Sequence, residues 1–98
     1  MTSPDSHPGS LTVRHEPEHA RFVVDLPQGR AELLYGEFSD DVLDLQHTEV
    51  PPAGRGKGVG DALVRAALAY AGQRGARVMA TCPYVQSWLR RHPDERPG

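Results

Sequence analysis

The sequence predicts an α+β fold: a four-stranded antiparallel meander running into a β-α-β-α unit, with the strands in one mixed sheet and the helices packed on it. Three observations predict it. Apolar and polar residues alternate through the first half in runs separated by short turn-forming clusters. After Gly58 the apolar residues recur at helical spacing instead. After Gly75 a short apolar run and a proline-initiated amphipathic segment complete the pattern.

Leu11-Thr12-Val13-Arg14-His15 alternates and predicts the first strand, which Pro17 ends. Ala20 to Leu26, centred on Phe22-Val23-Val24, predicts the second, with Pro27-Gln28-Gly29 as the turn after it. Ala31 to Phe38 predicts the third, with Leu33, Tyr35 and Glu37 on one face and Leu34 and Phe38 on the other. Ser39-Asp40-Asp41 turns the chain into the fourth, Val42 to Val50, which Pro51-Pro52 stops because proline cannot donate to a ladder. Turns this short specify antiparallel neighbours.

The helical period then takes over, through Val59, Ala62, Leu63, Ala66, Ala67 and Tyr70, until Gly75 supplies a C-terminal stop. Arg77-Val78-Met79-Ala80-Thr81 predicts a short buried strand, parallel to the fourth and joined by a right-handed crossover. Pro83 suits the first turn of a last helix whose inward face is Tyr84, Val85, Trp88 and Leu89, ending near Arg91-His92-Pro93.

A chain of 98 residues supports one modest core, so residues 11–98 are expected as a single domain and residues 1–10 as a flexible tail. Its single cysteine cannot form an internal disulfide, which fits a reducing cytoplasm. No run approaches the ~20 apolar residues that cross a bilayer, so no membrane partner is expected. A net charge of −2 and the absence of an aromatic stacking strip argue against nucleic acid. The charge is uneven: residues 1–50 sum to −7 and residues 51–98 to +5. That polarity suits an anionic cofactor on the second half and a cationic substrate approaching the first, though a solvated surface would look the same.

Arg55-Gly56-Lys57-Gly58-Val59-Gly60 stands between the fourth strand and the long helix. Glycines there let backbone N–H groups approach a ligand, and the helix dipole points its positive end at the same place, as phosphate binding requires. A Walker loop would need Ser or Thr after Lys57, where Gly58 stands. A dinucleotide fingerprint from Gly56 would need a glycine at Asp61.

The loop resembles the cofactor loop of GNAT-type N-acetyltransferases, with Arg55, Gly58 and Gly60 at the fixed places. The resemblance extends to a minimal GNAT family of about this length through His47-Thr48-Glu49-Val50-Pro51, Cys82-Pro83-Tyr84-Val85 and Arg91-His92-Pro93. It implies a shortened GNAT fold and acetyl-coenzyme A as cosubstrate. By that likeness the pyrophosphate lies on Arg55, Gly56, Lys57, Gly58, Val59 and Gly60, and the pantetheine arm pairs with backbone near Val50. The acceptor is expected to be an amine, on a small molecule or peptide, and the protein a monomer or weak dimer.

Acetyl transfer asks for a base, an oxyanion donor and protonation of the leaving thiolate. His47 is the candidate base, expected to share a strand face with Glu49, Leu43 and Leu45; a half-buried structural histidine is the alternative. Cys82, before Pro83, sits where a helix dipole favours a thiolate and could carry a covalent acetyl group, or act only by polarising or protonating. A buried structural cysteine is equally compatible. Tyr84 reads as a core tyrosine with its hydroxyl at the surface, although GNAT enzymes often place a leaving-group acid near here. His47 and Glu49 offer two metal ligands and no third, so no metal is expected. The rival reading is a non-catalytic coenzyme A-binding or interaction module.

Overall fold

The computed structural model describes residues 11–27 and 29–96; the expected tail over 1–10 and Gln28 of the expected turn lie outside these. Five strands form one sheet in the order β1-β2-β3-β4-β5. They are β1 (Arg14–Glu16), β2 (Arg21–Leu26), β3 (Gly29–Ser39), β4 (Val42–Glu49) and β5 (Arg77–Ala80). The first four pair antiparallel and β5 lies parallel to β4. Helix α1 (Val59–Gln73) joins β4 to β5, and α2 (Pro83–Arg91) follows β5. The mixed α+β sheet is the one the sequence predicts.

The first strand differs from its expected span, being three residues long and shifted toward Glu16. A 3-10 turn at Pro17–His19, closed by Ala20 N–H to Pro17 O (3.1 Å), folds the chain back at once, so only residues next to it reach β2. Leu11 and Val13 pack against the core without joining the ladder.

One sheet face carries Phe22, Val24, Leu33, Tyr35, Leu43 and Leu45 into a single core with Val59, Leu63, Val64 and Ala67 of α1 and Val85 and Trp88 of α2. Burying a side chain of this size stabilises by about 1.5–3 kcal/mol. A helix end closes cleanly at Gly75, which adopts φ 69°: Ala76 N–H reaches Ala71 O and Gly75 N–H reaches Gly72 O. The opposite sheet face bears ion pairs instead, Arg14–Asp25 and Arg21–Glu16 at 2.7 Å and Arg21–Glu32 at 3.4 Å. Arg14 and Glu32 stand opposite Val23 in the ladders, and Val23 is 0% exposed beneath the network.

The free edge of β5 is not bare either. Gln86 donates to Ala80 O (2.9 Å) and Arg96 to Val78 O, occupying outward carbonyls that would otherwise invite another strand.

Candidate functional site

Strands β4 and β5 begin side by side and part after Leu45. Their register runs from Val42↔Arg77 to Leu45↔Ala80, and then Thr81 N–H and Cys82 N–H both turn to Leu45 O, each at 3.0 Å. Asp44, only 2% exposed, fixes the parting point by accepting the N–H (3.0 Å) and hydroxyl (2.9 Å) of Thr81, with Gln46 Nε2 at 3.5 Å. Beyond it β4 runs on to Glu49 paired with β3 alone, so its other edge faces a cleft.

A β-bulge at the same place corrects one expectation. Tyr35 pairs with Leu45 but Leu34 pairs with His47, leaving Gln46 as an extra residue. One inserted residue reverses which side chains face which way. His47 and Glu49 therefore stand with Leu34 and Glu32 on the ion-paired face, not with Leu43 and Leu45, while Thr48, opposite Leu33, turns toward the core. The signal was present in the sequence as Gly36 inside the third strand. Glycine inside a strand often marks such a bulge, and a Cβ here would meet the far end of the exposed Gln46 side chain at 2.5 Å.

After β4 a 3-10 turn at Pro52–Gly54 leads into the glycine loop, and Arg55 Nε donates back to Val50 O at 3.2 Å. Gly56 and Gly58 take left-handed φ of 77° and 79°, and a Cβ on either would meet nothing within 4 Å. Among the described residues no side chain caps α1, and its first backbone bond is Ala62 N–H to Gly58 O, so the N–H groups of Val59, Gly60 and Asp61 precede any intrahelical partner. They form a donor cluster at the positive end of a 15-residue helix. Gly60 has a different reason to be glycine than the one expected. Its Cβ would lie 2.5 Å from the Tyr84 hydroxyl, so it makes room for that ring.

These elements enclose a cavity of about 670 Å³. Residues His47 to Val50 of β4 form one wall, Gly54, Arg55, Gly56 and the first turn of α1 another, and Tyr84 a third. Of the expected cofactor residues, Val50, Arg55, Gly56, Gly58, Val59 and Gly60 line it; Lys57 is exposed outside it. Tyr84, 40% exposed, belongs to the cavity rather than to the core, and burial raises its pKa above the usual tyrosine value. At Asp61 burial alone would raise the pKa, but hydrogen bonds from Trp88 Nε1 (2.8 Å) and Arg65 outweigh it and hold the carboxylate charged.

The two candidate catalytic residues are not brought together. His47 is exposed, lines the cavity and has Nε2 3.6 Å from Glu49 Oε1. Cys82 is 4% exposed, lies outside the lining, and donates its thiol to Thr48 Oγ1 at 3.5 Å. Thr48, which the sequence did not single out, is in the wall and stands between that thiol and the cavity. Among the described residues no group of three or more His, Cys, Asp or Glu side chains could hold a metal ion.

Residues 21–97 match the profile of the GCN5-related N-acetyl-transferase family. The chain is 37% identical over 87 residues to the protein NATD1 of Mus musculus, covering 87% of this chain and 79% of that one. It is 36% identical to NATD1 of Homo sapiens, covering 85% and 75%. Its fold is similar to that of a GCN5-like protein of Staphylococcus aureus solved by NMR, with TM-score 0.67 at 20% identity, over 87% of this chain and 83% of that one.

Proposed function

Because this chain belongs to the GCN5-related N-acetyltransferase family, we propose that it transfers an acetyl group from acetyl-coenzyme A to an amine. One observation carries the reading. The uncapped N-terminus of α1, with left-handed Gly56 and Gly58 before it, opens into a cavity whose facing wall is the unpaired edge of β4. Free N–H donors at a helix start suit a diphosphate, and a bare strand edge suits the amides of a pantetheine arm.

In this reading the backbone from Arg55 to Gly60 holds the diphosphate, and Arg55 and Lys57 add positive charge. The arm lies along β4 from Val50 toward Gln46, which brings its thioester end to the part of the wall formed by His47 and Thr48. His47 accepts the proton that the amine loses on attack, with Glu49 beside it to support the charged ring. Cys82 acts from behind the wall. The acceptor is an exposed lysine or N-terminus on a peptide, because among the described residues no further element walls the cleft and a small amine would have little to grip.

Calorimetric titration with coenzyme A, followed by acetylation of a lysine-bearing peptide, tests this. Saturable binding and turnover that His47→Ala lowers by at least tenfold are the expected results. Absence of any association with coenzyme A would overturn the reading. The rival, a non-catalytic coenzyme A-binding module, is favoured by the placement of His47 and Cys82 on opposite faces of β4. It predicts intact binding with no turnover in the parent protein.

A further inference from the structure

We propose that Thr48 is the group that hydrogen-bonds the reactive end of the bound thioester, and that Cys82 serves it as a positioning residue rather than as the acetyl-carrying nucleophile. The inference rests on the acetyltransferase reading above and assigns the work at one point of its site. Three observations lead to it.

The bulge at Gln46 turns the Thr48 side chain to the core side of β4, yet the residue still lines the cavity. It therefore looks two ways, into the cleft and toward the start of α2. Its partner on the inner side is Cys82, whose Sγ–H donates to Thr48 Oγ1 at 3.5 Å. A hydroxyl has one proton and two acceptor positions. With one acceptor position taken by the thiol, the Thr48 proton is free to point into the cavity.

The third observation is burial. Cys82 is 4% exposed and does not contribute to the cavity lining, and its backbone N–H is tied to Leu45 O at 3.0 Å. A thioester carbon would have to displace Thr48 to reach that sulfur. His47 and Thr48 are the wall residues farthest along β4 from the glycine loop. A carrier anchored by its diphosphate on that loop delivers its sulfur and acyl carbonyl, both hydrogen-bond acceptors, to this end. No proton or electron pair need leave Cys82; its S–H orients the threonine that touches the substrate.

Calorimetry with two probes tests the assignment without needing an acceptor: acetyl-coenzyme A, and desulfo-coenzyme A, which lacks both sulfur and acyl group. The ratio of their affinities is the readout. Thr48→Val lowers that ratio about three- to tenfold, the range expected for one hydrogen bond, and Thr48→Ser restores it. Cys82→Ala lowers it part of the way, and Cys82→Ser, which can still donate to Oγ1, recovers the loss. An equal weakening of both probes by Thr48→Val would place the hydroxyl on the arm's amides and overturn the assignment. An unchanged ratio would overturn it too, as would a stable acetyl adduct on Cys82 in intact-mass spectra. Failure of the parent protein to bind either probe would instead sink the acetyltransferase reading, so the two failures are distinct.

Discussion

The two ends of helix α1 are finished in opposite ways. At the C-terminal end Tyr70 packs into a cluster with His15, Phe22 and Tyr35, ring centroids 4.3–5.9 Å apart. Arg74 closes that end by donating to the Tyr70 hydroxyl (2.8 Å) and to Glu37 (2.7 Å), while Gly75 and Ala76 return their N–H groups to the last carbonyls. At the N-terminal end no side chain among the described residues caps the helix, two glycines sit at positive φ, and the donors face a cavity. One helix thus packs along its whole length, Val59, Leu63 and Val64 included, but closes its polar groups at one end and leaves them open at the other. Stability and binding should therefore separate along its length, because a buried group left without a partner inside the chain is available to a ligand.

The sharpest way to break that comparison is at the closed end. Phe22→Ala should cost about 3–5 kcal/mol in urea unfolding while the remaining folded protein binds coenzyme A as before. A large loss of affinity at unchanged fold would show the two ends to be coupled. Next is Asp44→Ala, which removes the charged acceptor of the Thr81 hydroxyl and one of the two acceptors of its N–H, Leu45 O remaining as the other. It should cost about 1–3 kcal/mol and also weaken coenzyme A binding, since Asp44 holds the point where β4 and β5 part. Gly58→Ala should cost about 1–2 kcal/mol, from a Cβ in the left-handed region. Its effect on coenzyme A affinity should be the larger one, about tenfold or more, equivalent to at least 1.4 kcal/mol. A stability loss with unchanged affinity would remove the loop from the binding site.

The smallest effect is a pH dependence at the closed end. Burial lowers the His15 pKa below 6.5, partly opposed by the charges of Glu18 and Glu37. Folding thus favours the neutral ring. That contribution is fully present above pH 6.5 and is lost as the pH falls from there toward the lowered folded value. His15→Gln, which can still bond the Tyr35 hydroxyl, should flatten the fall in urea midpoint between about pH 7 and 5. An equally steep fall in the variant would assign the slope elsewhere.

The order and type of nearly every element were legible in the chain, because two periods, one for strands and one for helices, are written in where the apolar residues recur. Both helices and four strands fall close to their predicted spans. The first strand was misjudged because alternation in Leu11 to His15 says nothing about how tightly Pro17–His19 turns back. The glycine loop was legible for a related reason: Gly56 and Gly58 encode a backbone conformation that few other residues adopt.

What the sequence by itself determined is thus local: which segments are extended, which helical, and where the backbone must take positive φ. The facing of His47, the burial of Cys82 and the emergence of Thr48 were decided only by the tertiary structure. A single inserted residue at Gln46 reverses the alternation beyond it, and whether a strand bulges depends on the strand it pairs with, here β3, whose Leu34 and Tyr35 face His47 and Leu45. The same holds for Gly60, whose lack of a side chain answers to Tyr84, a residue 24 positions later on another helix. Spacing along one chain fixes neither, because each is a contact between two surfaces that meet only after the sheet and its helices have packed.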